Sequence, residues 1–156
     1  MELHLPMEVT ASTWYENSVT IERGPLVFAL KMEEKWEKKE FEEPWYGPYY
    51  YSVTPTEPWN YGLVDFNRNK ANEHARVTIH TEKQSSVFPW NKENAPIEIR
   101  MKARLVPSWK LYNEMAGPQP YSFCSGGEGL ETEITLIPYG CTTLRITEFP
   151  VVGASR

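Results

Sequence analysis

A chain of 156 residues is the length of one ordinary domain, and at that size roughly 70% of the unfolded surface can be buried, so neither a metal nor a disulfide is required to hold it. With 40% hydrophobic, 24% charged and 13% aromatic residues the composition excludes a disordered chain, and thirteen Pro with nine Gly point to many turns and few long helices. A formal net charge of −5 argues against sequence-independent nucleic-acid binding and against docking on anionic lipid, and no window approaches the ~18 apolar residues of a membrane span.

The strand signals are runs of period-two alternation. Glu8 to Thr13 is the first candidate, and Val19 to Glu22 the second. Pro25 to Leu30 is apolar throughout, which fits a short strand covered on both faces. Arg23-Gly24-Pro25 supplies the turn before it, because Gly24 can take backbone angles closed to other residues and Pro25 suits a strand's first position. One small core seldom covers both faces of a strand. Either a neighbouring domain or subunit covers the second face, making Leu26, Phe28 and Leu30 interdomain contacts, or the domain's own loops do.

Residues 31–48 read as a charged connection or arm. Lys31 to Glu43 is dense in Glu and Lys with Met32, Trp36 and Phe41 interspersed, which suits a solvated extended segment or a short amphipathic helix. An aromatic cluster follows, Trp45 to Tyr51 and then Pro58-Trp59-Asn60-Tyr61. Its rings either pack at a sheet edge or on another domain, or stack on sugar rings through Trp45, Tyr49 and Trp59. Packing is the reading favoured, since many exposed rings carry a solubility cost.

Further along, Arg76 to Thr81 places Val77 and Ile79 inward. In Ile97 to Leu105, Ile97, Ile99, Met101, Ala103 and Leu105 face inward while Glu98, Arg100, Lys102 and Arg104 face water. Glu133 to Ile137 and Thr142 to Thr147 repeat the pattern. Short strands separated by Gly, Pro and Asn indicate an all-β, antiparallel β-sandwich, with jelly-roll order one of the open topologies and residues 1–156 as a single domain.

Candidate chemistry is sparse. Glycosidases need two carboxyl groups flanking a bond, one with a pKa raised by burial, yet the Glu residues fall on polar faces or in the charged arm. Asp65, the lone Asp, reads as a strand-end or turn residue. His4, His74 and His80 match no zinc spacing. No G-x-S-x-G elbow occurs, and Ser125 to Gly129 is Gly-rich without the strand-to-helix context of a phosphate loop. Cys124 and Cys141 form no C-x-x-C pair and read as two ordinary thiols. No metal or cofactor is expected. The start, Met1 to Pro6, lacks the basic end and apolar core of a secretory signal, and the location stays open between cytoplasm and periplasm or exterior.

Five stretches then read together: Leu5-Pro6-Met7, Asn17 to Leu30 with its Glu22-Arg23-Gly24-Pro25-Leu26-Val27 centre, Pro58 to Leu63, Val106 to Lys110, and Thr135 to Cys141 running into Leu144 to Thr147. In this order they resemble the C-terminal β-sandwich region of the β-L-arabinofuranosidase-like bacterial glycoside hydrolases, glycoside hydrolase family 127 and its relatives. The resemblance implies a parent enzyme whose α/α barrel holds the active site, with a cysteine nucleophile and a zinc ion held by cysteines and a Glu. None of those catalytic residues carries over, since Cys141 falls in the sandwich region. The implied role is a non-catalytic accessory domain of a larger enzyme, with the catalytic α/α barrel as partner. The alternative is a carbohydrate-binding module for plant-derived oligosaccharide. A second copy of the chain also stays open as a partner.

Overall fold

The computed structural model describes residues 7–82, 88, 90–125 and 129–153. His4, Leu5-Pro6 and the centre of the Ser125–Gly129 segment therefore lie outside the described residues. The strands are β1 (Val9–Thr13), β2 (Val19–Arg23), β3 (Leu26–Leu30), β4 (Glu34–Glu40), β5 (Tyr49–Pro55), β6 (Tyr61–Val64), β7 (Arg76–Ile79), β8 (Ile97–Leu105), β9 (Leu111–Tyr112), β10 (Met115–Ala116), β11 (Thr132–Pro138), β12 (Glu148–Phe149) and β13 (Val151–Val152). Among the described residues the one α-helical segment is the single turn Ala71–His74, and no helix is long and apolar enough to cross a membrane.

The chain is all-β, as its alternation predicts. Nine strands form one mixed sheet in the order β1-β2-β3-β11-β8-β6-β13, with β12 on β2 and β7 on β8. Two hairpins, β4–β5 and β9–β10, stand apart from it. The main sheet is curled and mixed rather than purely antiparallel. One pair departs from antiparallel order, for β13 runs parallel to β6, with Val151 opposite Leu63. Residues 148–152 explain the curl. Glu148 and Phe149 pair with β2 near one end of the strand order, and Val151 and Val152 pair with β6 at the other. Five consecutive residues thereby draw the two ends of the sheet together around the core.

That core is built from alternating positions. Ile99, Met101 and Ala103 of β8 meet Ile134 and Leu136 of β11, Phe28 and Leu30 of β3, Ile21 of β2, Leu63 of β6 and Phe149 of β12. Gly24 supplies the β2–β3 turn with a φ of +56°, and Arg23 pairs directly with Leu26. Pro25 therefore lies in the turn and not at the first strand position. The two-residue Asn113-Glu114 loop of the β9–β10 hairpin has positive φ at both residues, the backbone sense that matches strand twist.

Several local expectations change. Leu105, expected inward at the end of β8, is exposed. Lys31 to Glu43 is neither helix nor unpaired arm, because Glu34 to Glu40 pairs residue by residue with Tyr49 to Pro55. Thr142 to Thr147 forms no strand despite its alternation. Its Leu144 and Ile146 pack against the core, and the Ile146 carbonyl accepts one bond from the Leu30 N–H. On edge strand β7, Ile79 points to water while His80 is half-buried, held where its N–H donates to the Pro96 carbonyl at 2.8 Å. Glu98, expected on the wet face of β8, is only 8% exposed.

Candidate functional site

β3 shows how the two faces of an apolar strand are divided. Phe28 and Leu30 are buried in the chain's own core, so they offer no surface to another domain. On the opposite face, Ala29 is buried beside Ile137, its partner on β11. Ile137 packs with Ala95 and Cys141, a small cluster made by this chain's own loops. That cover stops short of the turn: Val27 is 37% exposed. Here Pro25, Leu26, Val27, Trp90, Pro138 and Tyr139 line an apolar hollow of about 530 Å³. Of the three residues expected at an interdomain contact, Leu26 alone borders it. Trp90 and Tyr139 were not singled out from sequence, since only the fold brings them to the β3 turn.

A second hollow shares Trp90 and Gly140 with the first and reaches Glu34 and Trp36 at the base of the β4–β5 ribbon. The ribbon is tied to the body at its root. The Glu34 carboxylate accepts from the Leu144 N–H at 3.1 Å. Lys92 donates to Glu33 at 2.7 Å, and this ammonium holds the Glu33 carboxyl below its ordinary range. Beyond the root, both faces of the ribbon meet solvent. Cross-strand register puts Trp36, Tyr51 and Tyr49 on one face and Phe41 and Tyr50 on the other. Tyr51 stands edge-on to Trp36 at 5.8 Å and to Tyr49 at 5.7 Å, and the Lys38 ammonium sits 4.0 Å above the Tyr49 ring. Phe41 contacts Tyr50 and Tyr46.

The residues expected to stack on sugar separate. Trp45 is 77% exposed, in the loop at the ribbon tip, and Tyr49 is exposed on β5. Trp59 is elsewhere: it is half-buried, set edge-on to Trp109 at 5.0 Å. Trp109 is buried and donates its indole N–H to the Gly117 carbonyl at 2.9 Å. Trp59 is thus part of the packing around β6, and the exposed rings of Tyr49 and Tyr51 are steeply inclined to one another, at 78°, rather than coplanar.

Charged groups inside the fold are explained by structure. Glu98 accepts from Lys31 at 2.8 Å and lies 3.5 Å from His80. Burial pushes its carboxyl up, but the bonds and charges of Lys31 and His80 outweigh that and hold it below the usual carboxylate range. It is a paired structural anion, without the raised pKa a general acid needs. Burial pushes the Cys141 thiol up to about 11 and the Cys124 thiol upward as well. Both cysteines are free. Among the described residues no group of three His, Cys, Asp or Glu side chains is placed to hold a metal ion. Asp65 ends β6 in a left-handed turn conformation, φ +46°.

No protein-family model matches the chain, and no curated protein or solved structure matches it either.

Proposed function

We propose that the chain is a non-catalytic accessory β-domain that packs against a catalytic unit. Its occupant, following the family resemblance, is the α/α barrel of a β-L-arabinofuranosidase-like glycoside hydrolase. The observation that carries this reading is the apolar hollow lined by Leu26, Val27, Trp90, Pro138 and Tyr139, which adjoins through Trp90 a more polar hollow at the root of the aromatic ribbon. A two-stranded hairpin is marginally stable on its own, and large rings left in water are costly, so such a surface fits a partner that covers it.

The test mixes the chain with the separately expressed α/α barrel of such an enzyme from the same source and follows complex formation by sedimentation velocity. A complex that Val27→Arg and Trp90→Ala weaken at least tenfold, with folding unchanged, supports the proposal. Three outcomes would sink it: no complex, a complex indifferent to both substitutions, or hydrolysis of a β-L-arabinofuranoside by the chain alone. Self-association through the same face would assign the surface to a second copy instead.

A further inference from the structure

A cleft lies at the far end of β2 from the β3 turn. It encloses about 1080 Å³ and is bordered by Asn17, Asp65, Asn67, Arg68, Asn69 and Phe123, with Val19, Val151 and Gly153 at its floor and wall. Three of its residues, from three separate segments, hold left-handed backbone: Asn17 at φ +54°, Asp65 at +46° and Phe123 at +65°. Asn and Asp tolerate that region, but a bulky Phe there is a true outlier. The geometry is enforced. The Ser122 N–H donates to the Glu16 carbonyl, the Phe123 N–H to the Val151 carbonyl and the Asp65 N–H to the Val152 carbonyl, each at 2.8 Å. Asn17 Nδ2 donates to the Tyr121 hydroxyl at 2.6 Å. Three loops are thus fastened to one another and to the tail that closes the sheet.

The strained Phe123 does not use its position to enter the core, for its ring is 69% exposed. A strained backbone that presents a large apolar ring to water at a cleft mouth costs stability twice, and such strain clusters where a ligand is held. Part of the polar lining is engaged within the fold. Arg68 donates from one Nη to the Thr13 hydroxyl at 2.8 Å, and Asn67 Oδ1 accepts from the Asn69 N–H. The Asp65 carboxylate, the Asn69 amide, Asn67 Nδ2 and the remaining guanidinium donors have no bond to a described residue. Charge narrows the ligand. Among the described lining residues one carboxylate is matched by one guanidinium, a balance that disfavours a phosphate and equally a metal cation. Side-by-side donors and acceptors beside an apolar ring face suit a neutral compound with several hydroxyls.

We infer that this cleft is a saccharide-binding site: a strained, exposed Phe123 ring, with the Asp65 carboxylate, the Asn69 amide and the Arg68 donors that no described residue engages, takes one neutral pentose or hexose ring. The inference stands apart from the packing surface, which sits at the other end of β2, about 14 Å away by strand rise.

Saturation-transfer NMR of the full chain against a panel of neutral pentoses and hexoses, free and as oligosaccharides, tests it. Transfer from at least one sugar is expected, with Kd on the order of 1 mM, as for a small polar ligand on an open site. Asp65→Asn and Arg68→Ala, both at exposed positions, should each weaken it at least fivefold at unchanged Tm. Phe123→Gly should abolish it while leaving Tm equal or higher, because glycine relieves the left-handed strain. Trp45→Ala should change nothing, which separates this cleft from the ribbon. Absence of transfer from every sugar with a folded chain overturns the inference, as does binding that survives both Asp65→Asn and Phe123→Gly. Binding lost with Trp45→Ala alone would move the sugar site to the ribbon. A failed barrel complex leaves these expectations in place.

Discussion

Gly62 is the point at which the sheet's closure is most exposed to a single methyl group. It lies on β6 opposite Arg104 of β8, beneath the tail that brings β13 onto the same strand. A Cβ added there would stand 2.6 Å from Val152 Cγ2, 3.0 Å from the Pro150 carbonyl oxygen and 3.0 Å from Val106 Cγ2. Carbon pairs prefer about 3.5 to 4.0 Å, so the nearest contact is roughly 1 Å too close. Neither neighbour yields easily. The Pro150 carbonyl is held by the Leu63 N–H at 2.9 Å, and Val152 is buried in a cluster with Val106 and Trp109. Gly62→Ala should therefore cost about 1 to 3 kcal/mol, the usual range for overpacking. In urea, with m near 2 kcal/mol/M, that lowers the midpoint by roughly 0.5 to 1.5 M. Gly140→Ala, whose added Cβ meets nothing within 4 Å, should stay within about 0.5 kcal/mol of wild type. Combining Gly62→Ala with Val152→Ala should cost less than the sum by at least about 0.5 kcal/mol, since the second change removes the closest clash. A Gly62→Ala protein as stable as wild type, or strict additivity in the double variant, would refute this account of how residues 148–152 close the sheet.

Four further expectations follow from the interior. Lys31→Met leaves the buried Glu98 carboxylate with His80 alone, and should destabilise by about 1.5 to 3 kcal/mol in denaturant titrations. Because Glu98 is held below its ordinary pKa of 4.5, its contribution is complete above that pH and fades as pH falls through the folded value; Glu98→Gln should flatten the acid limb of stability between about pH 5 and 3, and an unchanged limb would disprove the pairing. Phe28→Ala should cost about 3 to 5 kcal/mol by opening a cavity in the core, whereas the solvent-facing Val27→Ala should leave thermal melting of the isolated chain nearly unmoved. Cys141, with its thiol pushed up to about 11 by burial, should resist a disulfide reagent at pH 8 until urea unfolds the chain; rapid labelling in the native state would contradict its burial.

The strands that alternation could reveal are those with one dry face. β8 spans Ile97 to Leu105, as its pattern predicts, because a one-residue slip would send Ile99, Met101 and Ala103 into water. β1 is legible for the same reason, and β2 and β11 carry the alternation although parts of both their faces are buried. Where both faces are wet the signal vanishes. Glu34 to Glu40 shows no alternation because its order comes from Tyr49 to Pro55, and nothing in either segment alone selects the other. Conversely, Leu144 and Ile146 alternate and are partly buried without pairing, since burial can be supplied by side chains alone. Glu98 looked like a surface carboxylate because its partners, Lys31 and His80, are distant in sequence.

By itself the sequence determined the all-β class, most strands of the main sheet and the apolar character of β3, all of which rest on local periodicity. Tertiary structure decided which half of β3 stays open, how Trp90 and Tyr139 extend that opening, and that Trp59 belongs to packing around β6. It alone assembled the cleft from residues 13–19, 65–69, 121–124 and 151–153. Such a site depends on hydrogen bonds between segments far apart along the chain, and no local pattern of residues encodes their meeting.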